Sequence, residues 1–187
     1  FSTSSMEVGS VDGTLYGLEE RVIQDREPVL RLLALSPGFD VKWSREFTYR
    51  PGLFLALGLD RSVVVAVGDT VFALDRRGEE RWHTTLDHPF GGLSVGPDGT
   101  VHAGGYALAA NTGVTKWQAD VASITAAQDG TLVGLVAADD PSPSSPRTNA
   151  EALPLGLGRF DPATGALVDR FNGASTVSWQ PTVVFGV

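Results

Sequence analysis

The chain of 187 residues contains no cysteine, and this absence excludes several kinds of site at once. Disulfide bonds, iron–sulfur clusters, thiolate zinc sites and cysteine nucleophiles all require thiol groups. The absence says nothing about the cellular compartment, because a chain of this length can bury a sizeable core without disulfides.

Positive charge and long apolar runs are also scarce. There are 14 Lys and Arg residues against 22 Asp and Glu residues, so the net charge is −8. Non-specific nucleic-acid binding and attraction to an anionic bilayer both need a positive surface. No run approaches the roughly 18 to 20 apolar residues that a membrane-spanning helix requires. The sequence therefore predicts no nucleic-acid partner and no membrane insertion.

Known catalytic and metal-binding patterns are missing as well. Of the three histidines, His83 follows a predicted strand end and His88 precedes a proline, which favours surface or turn positions over a metal site. The acidic pair Asp139-Asp140 lacks the spacing of a calcium loop, and no Gly-x-Ser-x-Gly elbow is present. We therefore expect no catalytic, cofactor-binding or metal-binding residue.

What the sequence does contain is an internal repeat. An apolar run, a polar turn and a second run ending in Trp occupy residues 34–43, 73–82 and 107–117. A fourth copy at 159–169 keeps the turn and has Asp169 in place of Trp. Two apolar runs joined by a polar turn are typical of a β-hairpin.

A second marker precedes each copy and adds two further strands. The four markers are Asp12-Gly-Thr, Asp60-Arg-Ser, Asp98-Gly-Thr and Asp129-Gly-Thr. Each reads as a tight turn between strand-like runs, so a unit of roughly 40 residues holds four strands in up-and-down order. This pattern predicts an all-β fold, a β-propeller of four-stranded antiparallel blades. The blades are expected at about 4–47, 52–86, 90–119 and 121–173.

The repeat resembles a known family. Its pattern is similar to Ala-x-Asp-x-x-Thr-Gly-x-x-x-Trp, the tryptophan-docking motif of the pyrroloquinoline-quinone-dehydrogenase-like propeller repeats. The matching residues are Ala34, Trp43, Ala73, Asp75, Gly78, Trp82, Ala107, Thr112, Gly113, Trp117, Asp161, Thr164 and Gly165. The resemblance implies that each Trp docks between adjacent blades, with its indole on a peptide plane of the neighbouring repeat. Four positions depart from the motif: Ser36, Phe39, Ala109 and Asp169.

The resemblance also bears on the extent of the fold. Family members usually close with seven or eight blades, which implies that these four blades belong to a larger ring. Residues 175–187 are predicted to form the first strand of a further blade, and the Pro/Ser-rich residues 139–150 an exposed loop. Candidate residues for a partner edge are Val177, Trp179, Val183 and Phe185.

Three ways of completing the ring stay open. The chain begins at Phe1 with no initiator Met, which suits a segment of a longer polypeptide. It could instead pair with a second copy or another protein, or close as a small four-bladed ring.

Two functions follow from the resemblance. The first is a non-catalytic scaffold or protein-interaction module of a bacterial secreted or cell-envelope assembly, as in the outer-membrane assembly lipoproteins of the family. The alternative is a fragment of a quinoprotein dehydrogenase, which would hold pyrroloquinoline quinone and calcium on the axis. Because the sequence displays no polar set for a quinone, we expect a binding module rather than an enzyme.

Overall fold

The computed structural model describes residues 6–9, 12–21, 28–58, 60–87, 91–121, 123–137 and 155–171. These residues form strands and turns, and none of the described segments is helical. The strands are β1 (Met6–Gly9), β2 (Leu15–Arg21), β3 (Val29–Leu35), β4 (Val41–Thr48), β5 (Leu53–Leu57), β6 (Val63–Val67), β7 (Thr70–Leu74), β8 (Glu80–Thr85), β9 (Leu93–Val95), β10 (Val101–Ala103), β11 (Tyr106–Leu108), β12 (Thr115–Gln118), β13 (Ile124–Ala126), β14 (Leu132–Ala137), β15 (Leu155–Phe160) and β16 (Leu167–Phe171). Accordingly, no helix able to cross a bilayer occurs in the described part of the chain.

The strands form four separate sheets, each with its four strands in chain order and every neighbouring pair antiparallel. We name them blade 1 (β1 to β4), blade 2 (β5 to β8), blade 3 (β9 to β12) and blade 4 (β13 to β16). The first strand of each blade contacts the first strand of the next, so β1, β5, β9 and β13 lie on the inner side. The predicted all-β fold of four-stranded antiparallel blades is confirmed.

Two predicted segments lie outside the described residues. They are the strand at 175–187, with Val177, Trp179, Val183 and Phe185, and the loop at 139–150. Blade 4 is expected from about residue 121, and its first strand, β13, begins at Ile124, because the amide of Val121 donates to the carbonyl of Ala119 in a turn.

The hydrophobic core consists of three seams between successive blades. Blades 1 and 2 share a buried cluster that includes Leu32 and Val65, and blades 2 and 3 share one that includes Val64 and Leu108. Between blades 3 and 4 the cluster includes Phe160. All five residues of β6 are buried, since its two faces serve two different seams, and this explains its unbroken run of Val and Ala. Each blade is therefore held by its neighbours rather than by a core of its own.

Candidate interaction surface and the contacts between blades

Three tryptophans connect successive blades in the same way. Trp43 of blade 1 donates its indole N–H to the carbonyl of Arg76 in blade 2, at 2.9 Å. Trp82 of blade 2 donates to Ala110 of blade 3 at 2.8 Å, and Trp117 of blade 3 to Pro162 of blade 4 at 2.9 Å. We call each of these an indole–turn contact, because the acceptor always lies in the turn before the last strand of the next blade.

Each indole also lies against a glycine of that turn. Gly78, Gly113 and Gly165 all have a positive φ, between 68° and 83°. A Cβ placed on any of the three would come within 2.8 Å of the indole Cδ2. Glycine is thus required at these positions for two reasons: the backbone is left-handed, and the indole ring approaches too closely for a Cβ. The spacing of Gly and Trp in the sequence follows from this single arrangement.

Replacing Gly113 with alanine should therefore destabilise the protein by about 2 kcal/mol, from the left-handed φ and from displacement of the indole and of the neighbouring Thr84 hydroxyl. Gly130 provides the matched control: its φ is also positive, but a Cβ there has no neighbour closer than 3.7 Å. Gly130→Ala should cost about 1 kcal/mol, the backbone share alone. Urea denaturation of both variants measures the difference, and equal losses would contradict a role for the close packing of the indole and the Thr84 hydroxyl against Gly113.

The remaining predicted motif residues shape the same turns. Asp75 accepts hydrogen bonds from the amides of Arg77 and Glu79, and Asp161 accepts them from Ala163 and Thr164. These amide donors lower the pKa of Asp161. In the other two turns, the Ser36 hydroxyl accepts from the Asp40 amide, and the Thr112 hydroxyl accepts from Val114. The hydroxyl of Thr164 likewise accepts from Ala166.

Alanine stands directly across from each of the three tryptophans. The paired positions are Ala34 with Trp43, Ala73 with Trp82 and Ala107 with Trp117. A small side chain on the neighbouring strand leaves room for the indole to lie along the seam. In blade 4 the equivalent pair is Arg159 with Asp169, whose side chains form an ion pair.

A second set of turns lies at the same edge of the blades, since turns after the first and third strands of an antiparallel sheet share one side. In each, an aspartate carboxylate accepts a hydrogen bond from the amide two residues later, at 2.9 to 3.1 Å. The four aspartates are Asp12, Asp60, Asp98 and Asp129. We call this edge the Asp-turn rim. Residues in the second position of the turns have a positive φ, and in blade 2 that residue is Arg61 rather than glycine.

A basic residue just before each Trp reaches back to the turn of its own blade. Lys42 donates to the Thr14 hydroxyl at 2.7 Å, and Lys116 donates to the Thr100 hydroxyl at 2.9 Å. Arg81 forms an ion pair with Asp60 and also donates to Asn111 of blade 3. This recurring cation was missed at the sequence level, although a Lys or Arg directly before Trp43, Trp82 and Trp117 is visible there. Blade 4 has the exposed Val168 at this position.

Three aspartates of the rim, Asp60, Asp98 and Asp129, are held in their ionised form by the turns. Hydrogen bonds from Ser62 and Arg81 lower the pKa of Asp60, against a smaller opposing effect of burial. Thr100 has the same effect on the pKa of Asp98, with Lys116 adding to it. In blade 4 the amide of Thr131, and then its side chain, lower the pKa of Asp129 by hydrogen bonding. The rim therefore presents fixed negative groups at neutral pH.

Two clefts open between blades at this rim. The cleft between blades 2 and 3 measures about 270 Å³ and is lined by Asp60, Arg81 and Asn111, among others. The cleft between blades 3 and 4 measures about 280 Å³ and is lined by His102 and Asp129, together with apolar residues. Both combine charged groups with apolar walls.

His102 is the polar residue that the sequence did not single out. It is only 3% exposed, its ring packs on Trp117 at a centroid distance of 5.6 Å, and its Nδ1 has no hydrogen-bond partner in the described part of the chain. Burial lowers its pKa to about 4. By contrast, His83 is exposed, with its Nδ1 2.7 Å from a Glu80 oxygen. His88 lies outside the described residues.

The inner strands do not fit a quinone with calcium. Such a group needs several oxygen and nitrogen ligands close to the axis. The three inner strands with described side chains are instead apolar apart from Ser94 and Thr125, and the Ser94 hydroxyl is used between blades, accepting from the amide of Ala126 at 3.1 Å. Within the described ranges, no three His, Asp or Glu side chains converge as a metal site.

Comparison with known proteins identifies the fold. No protein-family model and no curated protein matches the chain. Among solved structures, it is similar to BamB from Moraxella catarrhalis, with a TM-score of 0.57 and 15% identity over 91% of this chain and 50% of that one. A protein of unknown function from Bacteroides caccae matches with a TM-score of 0.53 and 10% identity, over 91% of this chain and 61% of that one.

A third similar structure is the Pan2 WD40 domain from Neurospora crassa, with a TM-score of 0.53 and 14% identity over 89% of this chain and 61% of that one. WD40 repeats build propellers from four-stranded blades, the same unit that recurs here. The chain spans between 50% and 61% of the length of these three structures. Its fold is therefore that of a β-propeller, of which the four blades form a part.

Proposed function

We propose that the chain is a non-catalytic propeller module that binds another protein through the Asp-turn rim. The observation that supports this is the repetition of rigid, hydrogen-bonded turns along one edge of all four blades. A binding surface carried on such a scaffold loses little conformational entropy when a partner docks. Loops at the edge of a rigid framework are a common place for recognition.

The size of the clefts favours a polypeptide over a small molecule. At about 270 and 280 Å³ they lie just below the usual range for small-ligand pockets, roughly 300 to 1,000 Å³. Side chains of a partner segment that crosses from one blade to the next would fit such shallow depressions. The partner thus contacts several blades at once.

The charge pattern indicates what that segment carries. In the first three blades a Lys or Arg reaches the aspartate turn, but at blade 4 the equivalent residue is Val168. The cleft between blades 3 and 4 therefore combines apolar walls, including Pro97 and Pro162, with two carboxylates: Asp129, whose own blade lacks such a Lys or Arg, and Asp98, which Lys116 approaches to 3.6 Å. A segment that alternates basic and apolar side chains complements this cleft.

The assignment to the pyrroloquinoline-quinone-dehydrogenase-like repeats, and a bacterial secreted or cell-envelope location, are part of this proposal. Their support is the Trp and Gly spacing and the three indole–turn contacts, which we propose to be the docking contacts of that family. The similarity to BamB is compatible with an envelope setting.

Selection from a displayed peptide library tests the proposed function. Basic and apolar peptides should be enriched on the wild-type chain, and the double variant Asp98→Asn with Asp129→Asn should bind them at least about tenfold more weakly. Asp69→Asn is the control, since Asp69 lies in the turn between β6 and β7 on the opposite edge. Equal binding by the three proteins, or no enrichment at all, would contradict the proposal.

A further inference from the structure

The series of indole–turn contacts stops at both ends of the four blades. Blades 1, 2 and 3 each supply a Trp to the next blade, and blades 2, 3 and 4 each supply the glycine that receives it. At the position of the donor in blade 4 stands Asp169, in the same register with its neighbouring strand as the three tryptophans. At the position of the receiving glycine in blade 1 stands Phe39.

Phe39 adopts the backbone of the glycines that it replaces. Its φ is 67°, and its amide donates to the Ser36 carbonyl at 2.9 Å, as the Gly78 amide does to Asp75. A left-handed φ at an aromatic residue is unusual and costs about 1 kcal/mol or more. The side chain is nevertheless 68% exposed in the single chain. No contact within the described residues accounts for keeping Phe at this position.

Neither Phe39 nor Asp169 can form an indole–turn contact, because the first stands in place of the glycine and the second in place of the Trp. Wherever an indole docks, a Cβ on the receiving residue would lie 2.8 Å from its Cδ2, so the turn with Phe39 cannot receive a Trp in that position. Asp169 carries no indole, and its carboxylate forms an ion pair with Arg159. A blade without the Trp therefore fits a blade without the glycine, and the ring of Phe39 can occupy the space that an indole fills elsewhere.

The open face of blade 4 carries mainly apolar side chains. On the open face of blade 4, Leu157 lies across from both Leu135 and Phe171, and Phe171 is 64% exposed. The open face of blade 1 carries the partly buried Leu33 and Leu35, together with Arg31, whose guanidinium donates to the Ser44 hydroxyl at 3.1 Å. The exposed apolar side chains on blade 4 are typical of an interface.

We infer that blade 4 of one copy packs against blade 1 of a second copy, and that two such seams close a two-fold symmetric ring of eight blades. In this arrangement Asp169 and Phe39 meet at each seam, and both open faces are buried. The chain spans 50% of the length of the BamB chain, so two copies match its extent. The symmetry needs only one kind of seam, formed twice.

Light scattering on the 187-residue chain tests this inference directly. The wild-type particle should have twice the 19.7 kDa mass of the chain. Asp169→Trp should weaken the association at least about tenfold, because the indole meets the Cβ of Phe39. Phe39→Gly alone should also weaken it, through lost apolar contact.

The double variant Asp169→Trp with Phe39→Gly should restore the association, since it recreates the Trp and Gly pair of the inner seams. A folded single-chain particle for the wild type at 100 µM would overturn the inference, whether the chain stays open or closes on itself. Equal masses for wild type and Asp169→Trp would overturn the proposed seam. Because Asp98 and Asp129 lie away from the seam, failure of peptide binding with the mass unchanged would count only against the proposed function.

Discussion

Replacing Trp82 with alanine should lower the free energy of unfolding by about 3 to 5 kcal/mol, the range for buried large aromatic side chains. Its indole is buried in the central seam, together with Leu108 of blade 3 and Ala73 of its own blade. The substitution leaves a cavity against Gly113 and an unpaired carbonyl on Ala110. Urea denaturation at neutral pH measures the loss.

Two further variants separate the contributions. Trp82→Phe loses the N–H donor but keeps much of the ring contact. Its loss of unfolding free energy should therefore be smaller than that of Trp82→Ala, by about 1 to 2 kcal/mol. Trp43→Ala should also cost less, because that indole is only partly buried. A loss below about 1 kcal/mol for Trp82→Ala would show that the blades are held by their aliphatic clusters alone.

The regular spacing of the repeat made most of the fold predictable. Alternating apolar runs and Asp-Gly-Thr turns indicate four strands per blade, and the structure places a turn at each marker. The runs are apolar because each strand faces at least one seam, and a strand that faces two seams, such as β6, is apolar throughout. The exact start of β13 could not be predicted, since the bond from Val121 to Ala119 depends on how the chain passes between blades.

The buried state of His102 is not evident from its own strand. It lies on β10, a strand of only three residues, where no alternating pattern can develop. Its register beside Ala107 matches that of Tyr16 beside Ala34 and of Val64 beside Ala73. Aligning the second strands of the blades would have placed a histidine in a row of buried residues. Burial of a polar ring there depends on Trp117 and on blade 4, which are distant in sequence.

Acidification should destabilise the protein through His102 well before its carboxylates are protonated. Burial holds the pKa of this histidine at about 4, against an ordinary value of 6.5, with Asp98 opposing the shift and Lys116 adding to it. A depressed pKa in the folded state means that the unfolded chain binds the proton more tightly. Stability is therefore full above pH 6.5, falls as the pH drops toward 4, and changes no further through this group below that pH.

Between pH 6.5 and pH 4 the wild type should lose about 3 kcal/mol more of its free energy of unfolding than the variant His102→Phe. The phenyl ring of this variant keeps the packing on Trp117 and has no titrating nitrogen. Unfolding free energies of both proteins at pH 7.5, 5.5 and 4 give the difference. The two curves should diverge between pH 6.5 and 4 and run parallel below it, where Asp60, Asp98 and Asp129 lose their lowered-pKa stabilisation in both proteins. Parallel curves throughout would mean that the imidazole is hydrated in solution and that the cleft between blades 3 and 4 admits water to Nδ1.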